Sequence, residues 1–158
     1  MAERLVINTG PIIALAHAKA TSVVALLPIE FLAPVEVEEE LARGAAAGLG
    51  TIDVSWVTFR QIRNPAPPLA VAALDLGEAA VIQLALEEGV PFVCIDERRG
   101  RRAASAVGLQ VTGTLGVLGR AQKAGLVPAV RPLIAAMVAE GDWFDPALIE
   151  RFLAALGE

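Results

Sequence analysis

"LVINTGPIIAL", Leu5 to Leu15, decides the fold. Leu5 to Ile7 is apolar and rich in β-branched residues, and reads as a buried strand. Asn8, Thr9 and Gly10 break it. Pro11 then opens an apolar run at helical spacing, where proline suits the first turn. A core strand that passes directly into a helix is the first half of a βαβ unit. In a parallel sheet, ligands and chemistry gather beyond the carboxyl ends of the strands. Asn8 and Thr9 stand there, so both are candidate site residues.

Outward from this stretch the alternation repeats. Spacing predicts helices over Pro11–Ala20 and Ser22–Leu27, with Thr9 or Gly10 placed to cap the first. Ile29–Ala33 reads as extended. Pro34 opens a helix to about Ala47 that Gly48–Gly50 stops. Val54–Phe59 alternates as a strand. "NPAPPLA", Asn64 to Ala70, is a loop inside the domain, because its prolines fit neither a helix nor a central strand. Gly77–Glu88 is a helix ended by Gly89, and Pro91–Ile95 is a buried strand. Glu97–Val107 is a helix ended by Gly108, and Leu109–Val111 is a short strand. Leu115–Lys123 is a helix closed by Gly125. Two C-terminal helices follow, around Ala129–Glu140 and Pro146–Leu156. The expectation is one α/β domain over 1–158, with a mainly parallel central sheet flanked by helices.

Composition narrows the function. The chain has 158 residues, 55% hydrophobic and 20% charged, enough to bury a sizeable core. Net charge is −5, so any nucleic-acid binding needs a local basic patch or a bound cation. Cys94 is the only cysteine, which excludes an internal disulfide, fits a reducing cytoplasm and reads as a core thiol. Glu3, Asn8 and Pro11 interrupt any signal-peptide core. No stretch approaches the ~18 uninterrupted apolar residues of a membrane span. A cytoplasmic location is expected. No G-x-G-x-x-G follows the first strand and no Walker A sequence is present. "GTLGVLG", Gly113 to Gly119, falls in a helical pattern and suggests close helix packing.

The acids carry the chemistry. Asp96 follows "PFVCI" as Asn8 follows "LVI", so two strands end in short polar side chains. Asp96 could instead simply cap the next helix. Glu78 shares a face with Val81, Ile82 and Ala85, which puts a carboxylate on an apolar stripe. The helix dipole favours a first-turn glutamate but does not explain a buried one, whereas a divalent cation would. In "EVEEEL" the inward face is marked by Val37, Leu41 and Gly44. Glu39 lies opposite it, and Glu38 and Glu40 flank it equally. Acidic runs are usually solvated faces. In "DERRGRR", Arg98, Arg99, Arg101 and Arg102 open a helix, with Glu97 spaced to pair with Arg101. The cluster reads either as phosphate contacts or as solvated surface. His17, the only histidine, supports neither a zinc site nor a triad and reads as a helix-surface residue.

Taken together, these segments resemble the PIN-domain family of metal-dependent nucleases, which includes the VapC-type toxins. "VINTGPIIAL" is similar to the family's opening pattern. "PVEVEEEL" resembles its P-x-x-V-x-x-E-L helix and aligns Glu40 with the second acid. "LDLGEAAVIQLALEEG" places the third acid at Glu78. "VCIDERRGRRAASAVGLQVTGTLGVLGRAQKAGLV" places the fourth at Asp96 and is similar to a bacterial and archaeal branch without a firmly assigned role. The family's first acid is usually aspartate, and here it is Asn8. An amide oxygen can still meet a hard cation or a bound water, but it brings no charge.

The resemblance implies a PIN-like three-layer fold and hydrolysis of RNA phosphodiester bonds. Mg²⁺ or Mn²⁺ would sit among Asn8, Glu40, Glu78 and Asp96. Thr9 would position a water or ligand, and Arg98, Arg101 and Arg102 would hold the substrate. A toxin with a cognate antitoxin, acting as a homodimer, is the cellular role it implies. Two other readings stand beside it. One is a PIN-fold RNA- or protein-binding module weakened in catalysis by Asn8. The other is an unrelated α/β domain whose acids are caps and solvated faces.

Overall fold

A computed structural model describes residues 3–64 and 74–158. The first strand, β1 (Glu3–Ile7), is followed at once by α1 (Thr9–His17) and a short α2 (Thr21–Val24). β2 (Ile29–Pro34) runs into α3 (Val35–Gly44), and β3 (Val57–Arg60) precedes α4 (Leu76–Glu88). β4 (Phe92–Cys94), α5 (Arg98–Ala106) and β5 (Gln110–Thr112) complete the alternation. Three helices close the chain: α6 (Thr114–Lys123), α7 (Arg131–Ala139) and α8 (Pro146–Ala155).

The five strands form one sheet in the order β3-β2-β1-β4-β5, and every pairing is parallel. β1 is central: Leu5 sits opposite Phe31 on one side, and Ile7 opposite Cys94 on the other. Both of its faces are covered, so Leu5, Val6 and Ile7 have no exposed surface. That explains the unbroken apolar run where a half-exposed strand would alternate. Each such side chain contributes about 1.5–3 kcal/mol on burial. α4 packs on β1, β2 and β4 and touches α5, while α1 meets α7, and α6 meets α1 and α2. The result is the expected α/β architecture, with a sheet that is wholly parallel.

Several boundaries move for identifiable reasons. α1 begins at Thr9 and ends at His17, because Lys19 takes a left-handed conformation with φ +56°. α3 ends at Gly44 and continues as a π-helical turn over Ala45–Leu49, in which Gly48 has φ +92°. β3 starts at Val57 instead of Val54, because Asp53 folds the preceding residues into a turn. Its Oδ1 accepts from the Ser55 N–H at 3.0 Å, and its carbonyl accepts from Trp56 Nε1 at 3.0 Å. β5 lies one residue later than expected, at Gln110–Thr112. The proline-rich loop after Asn64 lies outside the described residues.

The glycines of α6 serve close packing, as their placement suggested. A Cβ on Gly119 would lie 3.1 Å from Phe152 of α8, so the absence of a side chain lets the last helix seat. The next residue, Arg120, pairs with Glu3 of β1, which lowers the Glu3 pKa chiefly through that hydrogen bond.

Gly119→Val should lift α8 from α6. Overpacking of this kind costs about 1–3 kcal/mol, and each 1 kcal/mol is about 2–4 °C in a chain of this size. A thermal melt by circular dichroism would show the fall, and an unchanged Tm would mean that Phe152 gives way freely.

Candidate active site

The strand order reverses between β1 and β4, since the chain leaves β1 toward β2 and leaves β4 toward β5. A crevice beyond the carboxyl ends is expected at such a point. Backbone pairing carries on just past the strands there. The Asn8 N–H donates to the Cys94 carbonyl at 3.0 Å, and the Ile95 N–H to the Thr112 carbonyl at 2.9 Å. Asn8 and Asp96 follow directly.

Asn8 is 6% exposed and occupies the N-cap position of α1 in extended conformation, yet its side chain makes no capping bond. This corrects the expectation that Thr9 or Gly10 caps the helix. Thr9 is the first helical residue, and its Oγ1 is buried without a hydrogen-bond partner. A buried polar atom without a partner is uncommon, so the Thr9 hydroxyl, beside an Asn8 amide that caps nothing, marks this strand end as a candidate site.

Asp96 is not a cap for α5 either. The N-cap residue there is Glu97, which makes no side-chain capping bond. Asp96 turns instead to the start of α6. Its Oδ1 accepts from the Thr114 N–H at 2.9 Å, and its Oδ2 from the Thr114 hydroxyl at 2.6 Å. The helix dipole favours a carboxylate in that position. Gly113 makes room, since a Cβ there would lie 2.6 Å from Asp96 Oδ1 and 3.0 Å from Arg101 Nη1. The Arg101 guanidinium donates to the Ile95 carbonyl at 2.8 Å and forms no ion pair with Glu97, contrary to its helical spacing. Thr114 is fully buried and fixes the Asp96 carboxylate, a role that reading "GTLGVLG" as a packing motif missed. The available signal was a hydroxyl just past a strand end.

Glu78 is 5% exposed and forms no ion pair among the described residues. Its carboxyl group packs over Gly100 of α5, where a Cβ would lie 3.4 Å from its carboxyl carbon. Burial pushes its pKa up, and the charges of Asp75 and Glu97 add to the rise. A backbone hydrogen bond from Asp75 and the Arg99 charge oppose it in part.

In α3, Glu38 and Glu39 are exposed, whereas Glu40 is half-buried and lies against Gly77, whose missing side chain leaves room for Glu40 Oε1. That contact breaks the tie between Glu38 and Glu40. Glu36 shares the Glu40 face by its i, i+4 spacing. Its Oε2 is buried without a partner, and burial raises its pKa. Glu36 is one of the four acids of "EVEEEL", and nothing in the helical period marks it out from Glu38 and Glu40.

The donors on this edge are carboxylate, amide and hydroxyl oxygens, a set that suits a hard divalent cation. Two of them, Thr9 Oγ1 and Glu36 Oε2, are buried without partners. No three His, Cys, Asp or Glu side chains among the described residues, however, are close enough to hold one ion jointly. The fold brings Glu40 to the start of α4 and Asp96 to the start of α6 without drawing the acids to one point. Arg98, Arg99 and Arg102 are exposed beside Asp96, and Arg101 is half-buried. His17 is more than a surface residue: its Nδ1 lies 2.6 Å from Asp142 Oδ2. Cys94 is buried in β4, and desolvation holds its thiol protonated, so it is a core residue.

A sequence model of the PIN domain matches residues 4–158, nearly the whole chain. The chain belongs to the PIN-domain family. Members of the family are in general nucleases, and they typically use divalent metal ions. No curated protein and no solved structure matches the chain. Among the described residues, no helix is long and apolar enough to cross a membrane.

Two outcomes follow from these contacts. Gly77→Ala must displace the Glu40 carboxylate while improving a helix position by about 0.5–1 kcal/mol. Its Tm should hold or rise while any stabilisation by added Mn²⁺ is lost. A normal Mn²⁺ shift in that variant would remove Glu40 from the candidate ligands. Glu78 binds its proton more tightly folded than unfolded, so ionising it costs stability. The cost is absent in acid, where both states are protonated, and grows as pH rises through the elevated folded pKa. Glu78→Gln should therefore melt a few degrees above wild type near pH 7, with the gain vanishing below about pH 4. A gain that is the same at both pH values would rule out ionisation as its source.

Proposed function

We propose that this PIN-domain chain is a divalent-metal-dependent ribonuclease that hydrolyses RNA phosphodiester bonds, with 1–158 working as a single domain. The observation that carries the reading is Glu78, a carboxylate buried at the carboxyl edge of a parallel sheet that forms no ion pair among the described residues. A structural role would leave such a group paired or exposed.

Asn8, Glu40, Glu78 and Asp96 would hold Mg²⁺ or Mn²⁺. When bound, the ion lowers the pKa of a water and offsets charge on the phosphate oxygens. Asp96, fixed by both polar groups of Thr114, presents a carboxylate of set orientation. Asn8 contributes a neutral oxygen, so the cage has three carboxylates and should bind a second ion weakly. Thr9 offers its free hydroxyl to a water or ligand. Arg98, Arg101 and Arg102 hold the substrate backbone. In the cell the reading extends to a cytoplasmic toxin, working as a homodimer and restrained by an antitoxin.

A second reading rests on two observations: Asn8 brings no charge, and the acids stand apart. It makes the chain a binding module for RNA or protein that has lost catalysis.

Cleavage of a labelled single-stranded RNA across a Mn²⁺ and Mg²⁺ titration decides between them, with Asp96→Asn prepared in parallel against contaminating nuclease. The expected result is metal-dependent cleavage that falls to background in Asp96→Asn. No cleavage at any metal concentration selects the binding module, and activity restored by Asn8→Asp would locate the missing charge.

A further inference from the structure

A groove of about 1500 Å³ begins at Asp96 and is bounded by α5, β5, the start of α6 and the segment from Trp143 to Phe152. Pockets that enclose one small ligand measure ~300–1,000 Å³, so this volume suits a polymer. Arg98, Arg101 and Arg102 line it from α5, and Arg151 lines it from α8. Its acids are Asp96, Glu97 and Asp145. Two of them are already engaged, Asp96 by Thr114 and Asp145 by the Ala147 N–H at 3.0 Å. In a chain of net charge −5 the groove is a local reversal of sign.

Trp143 forms its far wall and is 79% exposed. The segment beneath the indole is nonetheless tied down. Asp142 Oδ2 meets His17 Nδ1 at 2.6 Å, the Asp142 N–H donates to the Met137 carbonyl at 3.1 Å, and Asp145 caps α8. An indole displayed on a fixed base beside guanidinium groups is the combination that holds single strands: bases stack on the ring and phosphates meet the arginines. A protein partner could also seat on an exposed tryptophan. Continuity with the acid site and the arginine lining favour a nucleic acid.

We infer that this groove is the path of single-stranded RNA away from the acid site, with Trp143 stacking on a base and Arg151 joining the α5 arginines on the phosphates. The inference rests on the nuclease reading for its substrate class, but binding in the groove does not require cleavage. The chain's two tryptophans make it directly testable. Trp56 lies just before β3, at the opposite edge of the sheet, with its ring edge-on to Phe31 at 5.0 Å.

The probe is a 12-nucleotide oligo(U), titrated in EDTA while tryptophan emission is followed, with a duplex RNA of equal length alongside. The single strand should quench the wild type, and the duplex should bind more weakly. Trp143→Phe keeps a stacking ring, so it should retain affinity and lose the quench. Trp143→Ala should weaken binding roughly 5- to 150-fold. Arg151→Glu should weaken it and reduce the slope of log K against log salt by at least about 1. Undiminished affinity in Trp143→Ala, or equal binding of the duplex without quenching, overturns the path and points to a protein partner for the indole. Neither result touches the cleavage assay. Conversely, quenching by the single strand in a protein that never cleaves RNA would retain the path and remove the chemistry.

Discussion

β1 is a strand with no solvent-facing side, and the rest of the molecule is arranged around that constraint. It pairs in parallel with β2 and β4, and helices cover both faces. A parallel sheet needs crossovers, and crossovers bring helix starts to one edge. That edge is where backbone N–H groups of helix starts are unpaired and where carboxylates are favoured. Asn8, Glu40, Glu78 and Asp96 reach it from four different segments. That common placement follows from the topology as much as from the residues.

Two acids on that edge show how differently burial can be managed. Asp96 is answered inside the fold by both polar groups of Thr114. Glu78 forms no ion pair among the described residues, and burial raises its pKa although the Arg99 charge opposes the rise in part. Glu36 repeats the second pattern with a buried, unpartnered oxygen. The fold thus keeps part of its acidic edge unsatisfied, at some cost in stability. Such strain in an otherwise well-packed domain is typical of a place kept for a ligand.

Much of this was legible in one dimension. The apolar runs of β1 and β4, the helix pattern around Glu78, and the stops at Gly89 and Gly108 all appear where spacing puts them. Misreadings came where local chemistry outweighs periodicity. Val54 to Trp56 alternates like a strand, but the Asp53 side chain and carbonyl capture those residues in a turn. Glu97 and Arg101 have the spacing of an ion pair, yet the guanidinium turns back to the Ile95 carbonyl.

By itself the sequence determined the α/β class, the buried strands and the acids that end or flank them, because each depends on neighbours a few residues apart. It also carried the family resemblance, through the order of its four segments. Periodicity leaves Glu38 and Glu40 equivalent and the resemblance alone favoured Glu40; only the tertiary structure supplies the physical reason, the room that Gly77 of α4 leaves for it. The same holds for Thr114 as the holder of Asp96, and for Trp143 beside the arginines of α5. These pairs are separated by many residues, so no local period encodes them. They exist because parallel crossovers bring strand ends and helix starts to a common edge.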